Sequence, residues 1–226
     1  MPRTFASLVG FALAAACIAA VLGATAQPAA PQTRPHEAVG LFPNSTDVGI
    51  TQAGSTTFNP ATQSYDLIGG GADMWGGADA FRLAWTRISG DASLAATVVF
   101  PPGNHPPNEK AVLIFRQTLD PASPYADIAI HADGHITLQY RLMRGGPTAD
   151  VTAAIRNAKT LSIGRHGDRF TASVTGLDGQ LADFANIDIP LQESIYVGLG
   201  VCAHDAAGVA TVTFSDVHLT GLSIHP

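Results

Sequence analysis

Between Ser123 and Arg141 the chain reads SPYADIAIHADGHITLQYR, with apolar residues at every second position. Ala126, Ile128 and Ile130 alternate with Tyr125, Asp127, Ala129 and His131. After a break, Ile136, Leu138 and Tyr140 alternate with Thr137, Gln139 and Arg141. A period of two belongs to a strand with one buried face. The break fixes the register. A three-residue loop, Ala132-Asp133-Gly134, with Gly134 in the left-handed conformation, sets Ile130 opposite Ile136 and Ile128 opposite Leu138. Asp127 then meets Gln139, and Tyr125 meets Arg141, on the other face. A two-residue Asp133-Gly134 turn would pair Ile130 with Thr137 and mix the faces. The hairpin therefore carries charged and polar residues in mid-strand, and that face is the best candidate for a working surface.

The same pattern recurs along the chain. Strands are expected at Ser64–Ile68, Phe81–Ile88, Ser93–Phe100, Ala111–Thr118, Ala126–His131, Ile136–Arg141, Thr160–Gly164, Arg169–Thr175, Ile195–Val201 and Thr211–Leu219. Val151–Lys159 has room for a helical turn, and nothing longer is persuasive. With 23 Gly and 15 Pro among 226 residues and only 13% charged residues, turn formers are plentiful and charge is sparse. Short strands at such spacing predict an all-β antiparallel two-sheet β-sandwich, over residues 41–226. In Ile195–His204, Val197, Leu199, Val201 and Ala203 share one face. Gly198, Gly200, Cys202 and His204 share the other, leaving a low sheet floor suited to close approach by a ligand or another backbone. Leu113 and Phe115 look like core, which sends Arg116 to the polar side.

The first 26 residues read as an export signal: Arg3, an apolar stretch from Phe5 to Leu22, and Ala24-Thr25-Ala26 before Gln27. An uncleaved membrane anchor is the rival reading, since the stretch approaches spanning length. Cleavage would leave a periplasmic or extracellular protein with no transmembrane segment. Residues 27–40 form a Pro- and Ala-rich linker. Cys202 would then be the only cysteine, so no internal disulfide forms; an inert thiol in a packed strand is weighed against a reactive one. The chain carries 12 Lys and Arg against 18 Asp and Glu, a net charge of −6 with neutral His. The basic residues are scattered without a stripe, which speaks against a nucleic-acid partner.

Four segments carry a resemblance: WGGADAFRLAWTRISGD (Trp75–Asp91), KAVLIFRQTLDPASPYADIAIHADGHITLQYR (Lys110–Arg141), YVGLGVCAHD (Tyr196–Asp205) and FSDVHL (Phe214–Leu219). Together they resemble a poorly characterised concanavalin A-like, laminin-G-like module found beside TolB-like propellers and at the C-terminus of some β-xylosidases. The resemblance spans about Tyr65 to Leu219 and contains no catalytic motif. It implies a jelly-roll sandwich whose concave sheet often binds glycans. Function has to be argued from the site itself.

The candidate ligand-binding set is Trp75, Arg116, Asp127, Gln139, Arg141 and His204. Carboxylate and guanidinium groups offer convergent acceptors and donors for sugar hydroxyls. An exposed Trp75, set among glycines in GGGADMWGGADAF, can cover a sugar's C–H face. The competing structural readings are an Asp127–Arg pair across strands and a Trp75 plug at one end of the sandwich. Trp85 lies within a strand and is expected in the core. His131 and His135 are expected as cross-strand neighbours, with His204 a distant third, but no compact metal-ligand spacing accompanies them. Structural calcium at Asp73 or Asp79 is suggested only by superfamily analogy, without a loop motif, so no cofactor is expected.

Catalysis faces an obstacle. Glycosidases pair two carboxyl groups about 5–9.5 Å apart. The only glutamates are Glu37, Glu109 and Glu193, none central in a confident strand. Asp127 and His131 lie four residues apart on one strand face, roughly 13 Å. The expected function is binding of a carbohydrate or cell-envelope polymer without catalysis. The alternatives are a glycan-active hydrolase or lyase using Asp and His of the concave sheet, and a module docking an envelope protein.

Overall fold

The computed structural model describes Met1, residues 40–176 and residues 178–221; the expected signal segment and nearly all of the linker lie outside these residues. The strands are β1 (Asn44–Val48), β2 (Ser55–Asn59), β3 (Ser64–Gly71), β4 (Met74–Trp75), β5 (Ala78–Asp79), β6 (Phe81–Ser89), β7 (Ala92–Val99) and β8 (Lys110–Arg116). They continue as β9 (Tyr125–His131), β10 (Ile136–Arg141), β11 (Thr148–Thr152), β12 (Thr160–His166), β13 (Arg169–Thr175), β14 (Leu181–Asp188), β15 (Ser194–Cys202) and β16 (Asp205–Leu219). Two antiparallel seven-stranded sheets result, ordered β1-β6-β15-β8-β9-β10-β11 and β14-β13-β12-β7-β16-β3-β2; β4 and β5 form a separate hairpin. The fold is the all-β antiparallel two-sheet sandwich that the alternation predicts. The expected helical turn is absent: Val151 and Thr152 belong to β11, and the described residues hold no helix.

The register of the β9–β10 hairpin follows the apolar pattern. Ile136 pairs with Ile130, Leu138 with Ile128, Gln139 with Asp127 and Arg141 with Tyr125. Gly134 sits at φ +88°, and its N–H donates to the His131 carbonyl at 2.8 Å, closing the three-residue loop. A side chain there would collide with Asn157, so only glycine suits this turn on both counts.

One core lies between the sheets. Leu113, Phe115, Ile128, Leu138, Val197, Leu199 and Val201 face Leu67, Leu94, Leu161, Ile163, Phe170, Val212 and Phe214, all essentially without solvent contact. The outer face of the second sheet is open, so β7, β12 and β13 alternate buried and half-buried residues. The first sheet differs: every residue of β8 and β9 is buried, on both faces. A second apolar cluster covers part of its outer face, formed by Val48, Met74, Phe81, Leu83, Val112, Ile114, Tyr125, Ala129 and Cys202. This cluster fills the low floor expected around Gly198 and Gly200. A Cβ on Gly200 would press on Val112 and the Phe81 ring at 2.8 and 2.9 Å, so packing, not a ligand, occupies that space. Trp85 joins the periphery of this second cluster, partly buried and edge-on to Tyr196 at 5.0 Å, instead of entering the main core.

Candidate functional site

The outer face of the first sheet divides into a sealed half and an open half. Alternation puts Lys110, Val112, Ile114 and Arg116 of β8 on this face, beside Tyr125, Asp127, Ala129 and His131 of β9. Thr137, Gln139 and Arg141 of β10 complete the row. The β4–β5 hairpin lies over the Arg116–Arg141 end and delivers Asp79 into it.

In the sealed half, Asp79 is the anion for both arginines. Arg141 donates from Nη2 to Oδ1 at 2.7 Å and from Nη1 to Oδ2 at 3.0 Å, and Arg116 Nη1 lies 3.4 Å from Oδ2. All three side chains are 0% exposed. The remaining guanidinium donors reach backbone carbonyls: Arg116 those of Thr118 and Asp120, both at 2.6 Å, and Arg141 those of Ser123 and Gly76 at 3.0 and 3.1 Å. Thr148 Oγ1 donates to the same Gly76 carbonyl at 3.0 Å, which pins the hairpin tip to β11. Burial lowers the Arg116 pKa, with Asp79 opposing it. Burial raises that of Tyr125 well above the usual phenol value, with Asp127 and Asp79 adding to the effect. Such a network satisfies its own charges and has nothing left to offer a ligand. The expectation that Arg116 and Arg141 orient a ligand is therefore corrected: they share a face with Asp127, but the hairpin seals them, and they clamp it in place. Asp127 does not pair with them either, because Asp79 has taken that position. Asp79, bound by two arginines, is likewise unsuited to calcium.

The open half is a cleft of about 250 Å³ beside the hairpin. Its floor holds His131, Thr137 and Gln139; Trp75, Asp73, Lys110 and His204 line one side and Asp150 and Thr152 of β11 the other, with Asn108 and His135 completing the lining. Lys110 Nζ binds Asp73 Oδ1 at 2.9 Å, and His204 Nδ1 lies 3.4 Å from the same oxygen. Burial works upward on the Asp73 carboxyl, but Lys110 and His204 together hold it below its ordinary value. Trp75 is 41% exposed at the rim, an accessible indole and not a buried plug. His131 and His135 stack with ring centroids 3.7 Å apart. Desolvation, reinforced by Lys110, pulls the His131 pKa down to about 3, so this imidazole is neutral at physiological pH. Among the described residues no group of three or more His, Cys, Asp or Glu could hold a metal ion. Cys202 is fully buried, and burial pushes its thiol up to about 11, which makes it unreactive.

The floor has one unusual property. Both ring nitrogens of His131, Thr137 Oγ1 and Gln139 Oε1 are buried without a hydrogen-bond partner, and so are both oxygens of the adjacent Asp127. Each of these residues is at least 94% buried. Burial raises the Asp127 carboxyl well above its ordinary value against the pull of Lys110, so the uncharged acid persists over a widened pH range. Unpaired buried polar groups are rare in folded proteins, and several at one place mark a site that awaits partners.

Of the six residues expected from sequence, Trp75, Gln139 and His204 line the cleft, Asp127 lies beside its floor, and Arg116 and Arg141 are sealed away. Lys110, Thr137, Asp73 and Asp150 were not anticipated as lining residues. The signal for two of them was available: Thr137 precedes Gln139 by two, and Lys110 shares the parity of Arg116, once β8 is begun one residue earlier.

No protein-family model matches the chain, and no curated protein matches it in sequence. Solved structures do resemble it. A crystal structure described as a functionally unknown protein from Saccharomyces cerevisiae aligns with a TM-score of 0.57 at 18% identity, over 78% of this chain and 96% of that one. A carbohydrate-binding module from Bacillus subtilis aligns at 0.49 and 19%, over 77% and 94%. A Lotus tetragonolobus seed lectin aligns at 0.46 and 9%, over 78% and 98%. At these identities the likeness concerns the sandwich alone.

Proposed function

We propose that the chain is an exported carbohydrate-binding β-sandwich module, acting in the periplasm or outside the cell, that holds a glycan or cell-envelope polymer in the cleft without chemistry. The reading rests on the cluster of unpaired polar atoms at the floor, set below an accessible tryptophan. A sugar ring presents hydroxyls to such a floor and a C–H face to such an indole. Trp75, Gln139 and His204 would contact the ligand, and Asp127, the cross-strand neighbour of Gln139, would support it from the side. Export is supported by the N-terminal sequence pattern. Catalysis is disfavoured because a histidine with a pKa near 3 is too weak a base for general acid–base work at neutral pH.

A glycan array and native envelope polysaccharide pull-downs test this. Binding is expected, with Trp75→Ala and Gln139→Ala each weakening it at least about tenfold, on the order of 1.4 kcal/mol. Absence of binding to every glycan overturns the proposal. Turnover abolished by Asp127→Asn in a folded protein would replace it with a hydrolase or lyase. A specific protein partner crosslinked in cells and retained after glycan digestion would replace it with an envelope interaction module.

A further inference from the structure

Charge selects among the glycans that the cleft can take. A carboxylate, sulfate or phosphate group only accepts hydrogen bonds, and proteins bind it with unpaired Arg or Lys donors or convergent backbone N–H groups. Arg116 and Arg141 on this face are sealed and committed to Asp79 at 2.7 to 3.4 Å, and a third arginine, Arg87, lies two strands beyond β8 at the Arg116 end, across Tyr196 and away from the cleft. The lining lysine, Lys110, is 2% exposed and bound to Asp73 at 2.9 Å. Arg156 is drawn away to Asp133 at 3.1 Å. Against these spent cations stands Asp150 on the edge strand β11, exposed, with only the Thr152 hydroxyl as a side-chain partner at 3.3 Å among the described residues. Lys110 and Asp73 cancel, so Asp150 leaves the lining acidic.

The unpaired atoms of the floor point the same way. Gln139 carries a buried, unpaired acceptor oxygen beside its own amide N–H donors. Thr137 Oγ1 donates and accepts, and the neutral His131 ring offers one nitrogen of each kind. A mixed set of this sort matches hydroxyl groups, which themselves donate and accept. It offers a carboxylate no charged donor, only neutral ones.

We infer, resting on the glycan-binding reading above, that the cleft is specific for uncharged, hydroxyl-rich sugars and rejects uronates and sulfated or phosphorylated sugars, with Asp150 as the residue that sets the rejection. The discrimination is electrostatic, so it weakens as salt rises.

Titration calorimetry with chemically matched oligosaccharides tests the inference: glucose against glucuronate, galactose against galacturonate, mannose against mannuronate, and oligogalacturonate against its methyl ester. The neutral member of the best-bound pair is expected to bind on the order of tenfold tighter than its acid, with the gap narrowing at high salt. In Asp150→Asn, the ratio of acid to neutral affinity is expected to rise about fivefold. Asp150 is exposed on an edge strand, so this variant should fold, and its circular dichroism spectrum verifies that. Acids binding as tightly as their neutral partners would overturn the inference and leave the glycan-binding reading standing. An unchanged ratio in Asp150→Asn would remove Asp150 as the selector. If nothing binds, on these pairs or on the glycan array, the glycan reading fails and the inference fails with it.

Discussion

Asp127 stands at 0% exposure on the outward face of β9 with neither carboxylate oxygen hydrogen-bonded. A buried polar group left unsatisfied costs about 1–3 kcal/mol. A carboxyl whose folded pKa is raised adds a pH-dependent penalty, because the unfolded chain ionises it freely. The stability it leaves intact is fully present below its unfolded pKa of about 3.9 and is lost as pH rises from there toward the raised folded value. Asp127→Asn keeps the shape and removes the titration. Its melting temperature is therefore expected to gain on that of the native chain progressively above about pH 4. Glycan affinity should hold in the same variant, because the amide N–H stands in for the acid's O–H donor beside Gln139. Thermal melts across about pH 3–8, paired with calorimetric titration, read both effects. A variant less stable than the native chain at neutral pH would show that Asp127 carries no such penalty, and lost binding would show that the carboxyl itself is needed. Alternation alone placed Asp127 and Gln139 correctly. It could not reveal that Asp127 lacks a partner, because that depends on Asp79 arriving from a distant hairpin to occupy the arginines.

At the scale of the element, the β4–β5 hairpin decides which part of the polar face is open. Each of its strands has two residues, too short for periodicity to register, and its tip turns on Gly76 at φ +58°. Its position is held by side chains: Asp79 under two guanidinium groups, and the Gly76 carbonyl under Arg141 and Thr148. The same contacts place Trp75 at the cleft rim, since Trp75 pairs with Ala78 across the hairpin. Asp79→Ala would leave two buried cations without an anion, and a loss of about 3–5 kcal/mol is expected on urea unfolding. Asp133→Ala removes a pair with Arg156 whose side chains are 38% and 52% exposed, and should cost under about 1 kcal/mol by that route. Equal losses in the two variants would show that the clamp is not what holds the hairpin. Sequence reading assigned Arg116 and Arg141 to the correct face and missed their role, because a covering element of four paired residues carries no local signature of its own.

For the whole molecule, the legible and illegible parts of the sequence have a common cause in the sandwich. The strands anticipated from alternation, such as β9, β10 and β13, lie within the sheets and must bury an apolar side. The strands β1, β2, β11 and β14 were not anticipated, and they are the four sheet edges. Edge strands here are largely exposed, as in TADVT of β11 and LADFANID of β14, so no strict apolar period is imposed on them. The apolar pattern that is legible feeds one continuous core, and that core makes the two sheets interdependent. Phe115 of β8 meets Phe170 of β13 across the interface, ring centroids 5.7 Å apart and tilted by 63°. Neither ring is solvent-exposed, and neither sheet has another partner for this face. Phe115→Ala is expected to cost about 3–5 kcal/mol through lost burial and the cavity left behind. The loss should appear in both sheets at once. Trp75 and Trp85 report on the first sheet and its hairpin by fluorescence, whereas far-ultraviolet circular dichroism reports on the strands of both. Coincident denaturant transitions at a lowered midpoint, with an unchanged slope, are the expected result. A fluorescence transition that separates from the dichroism transition would mean that the cleft-bearing sheet can loosen while the other persists.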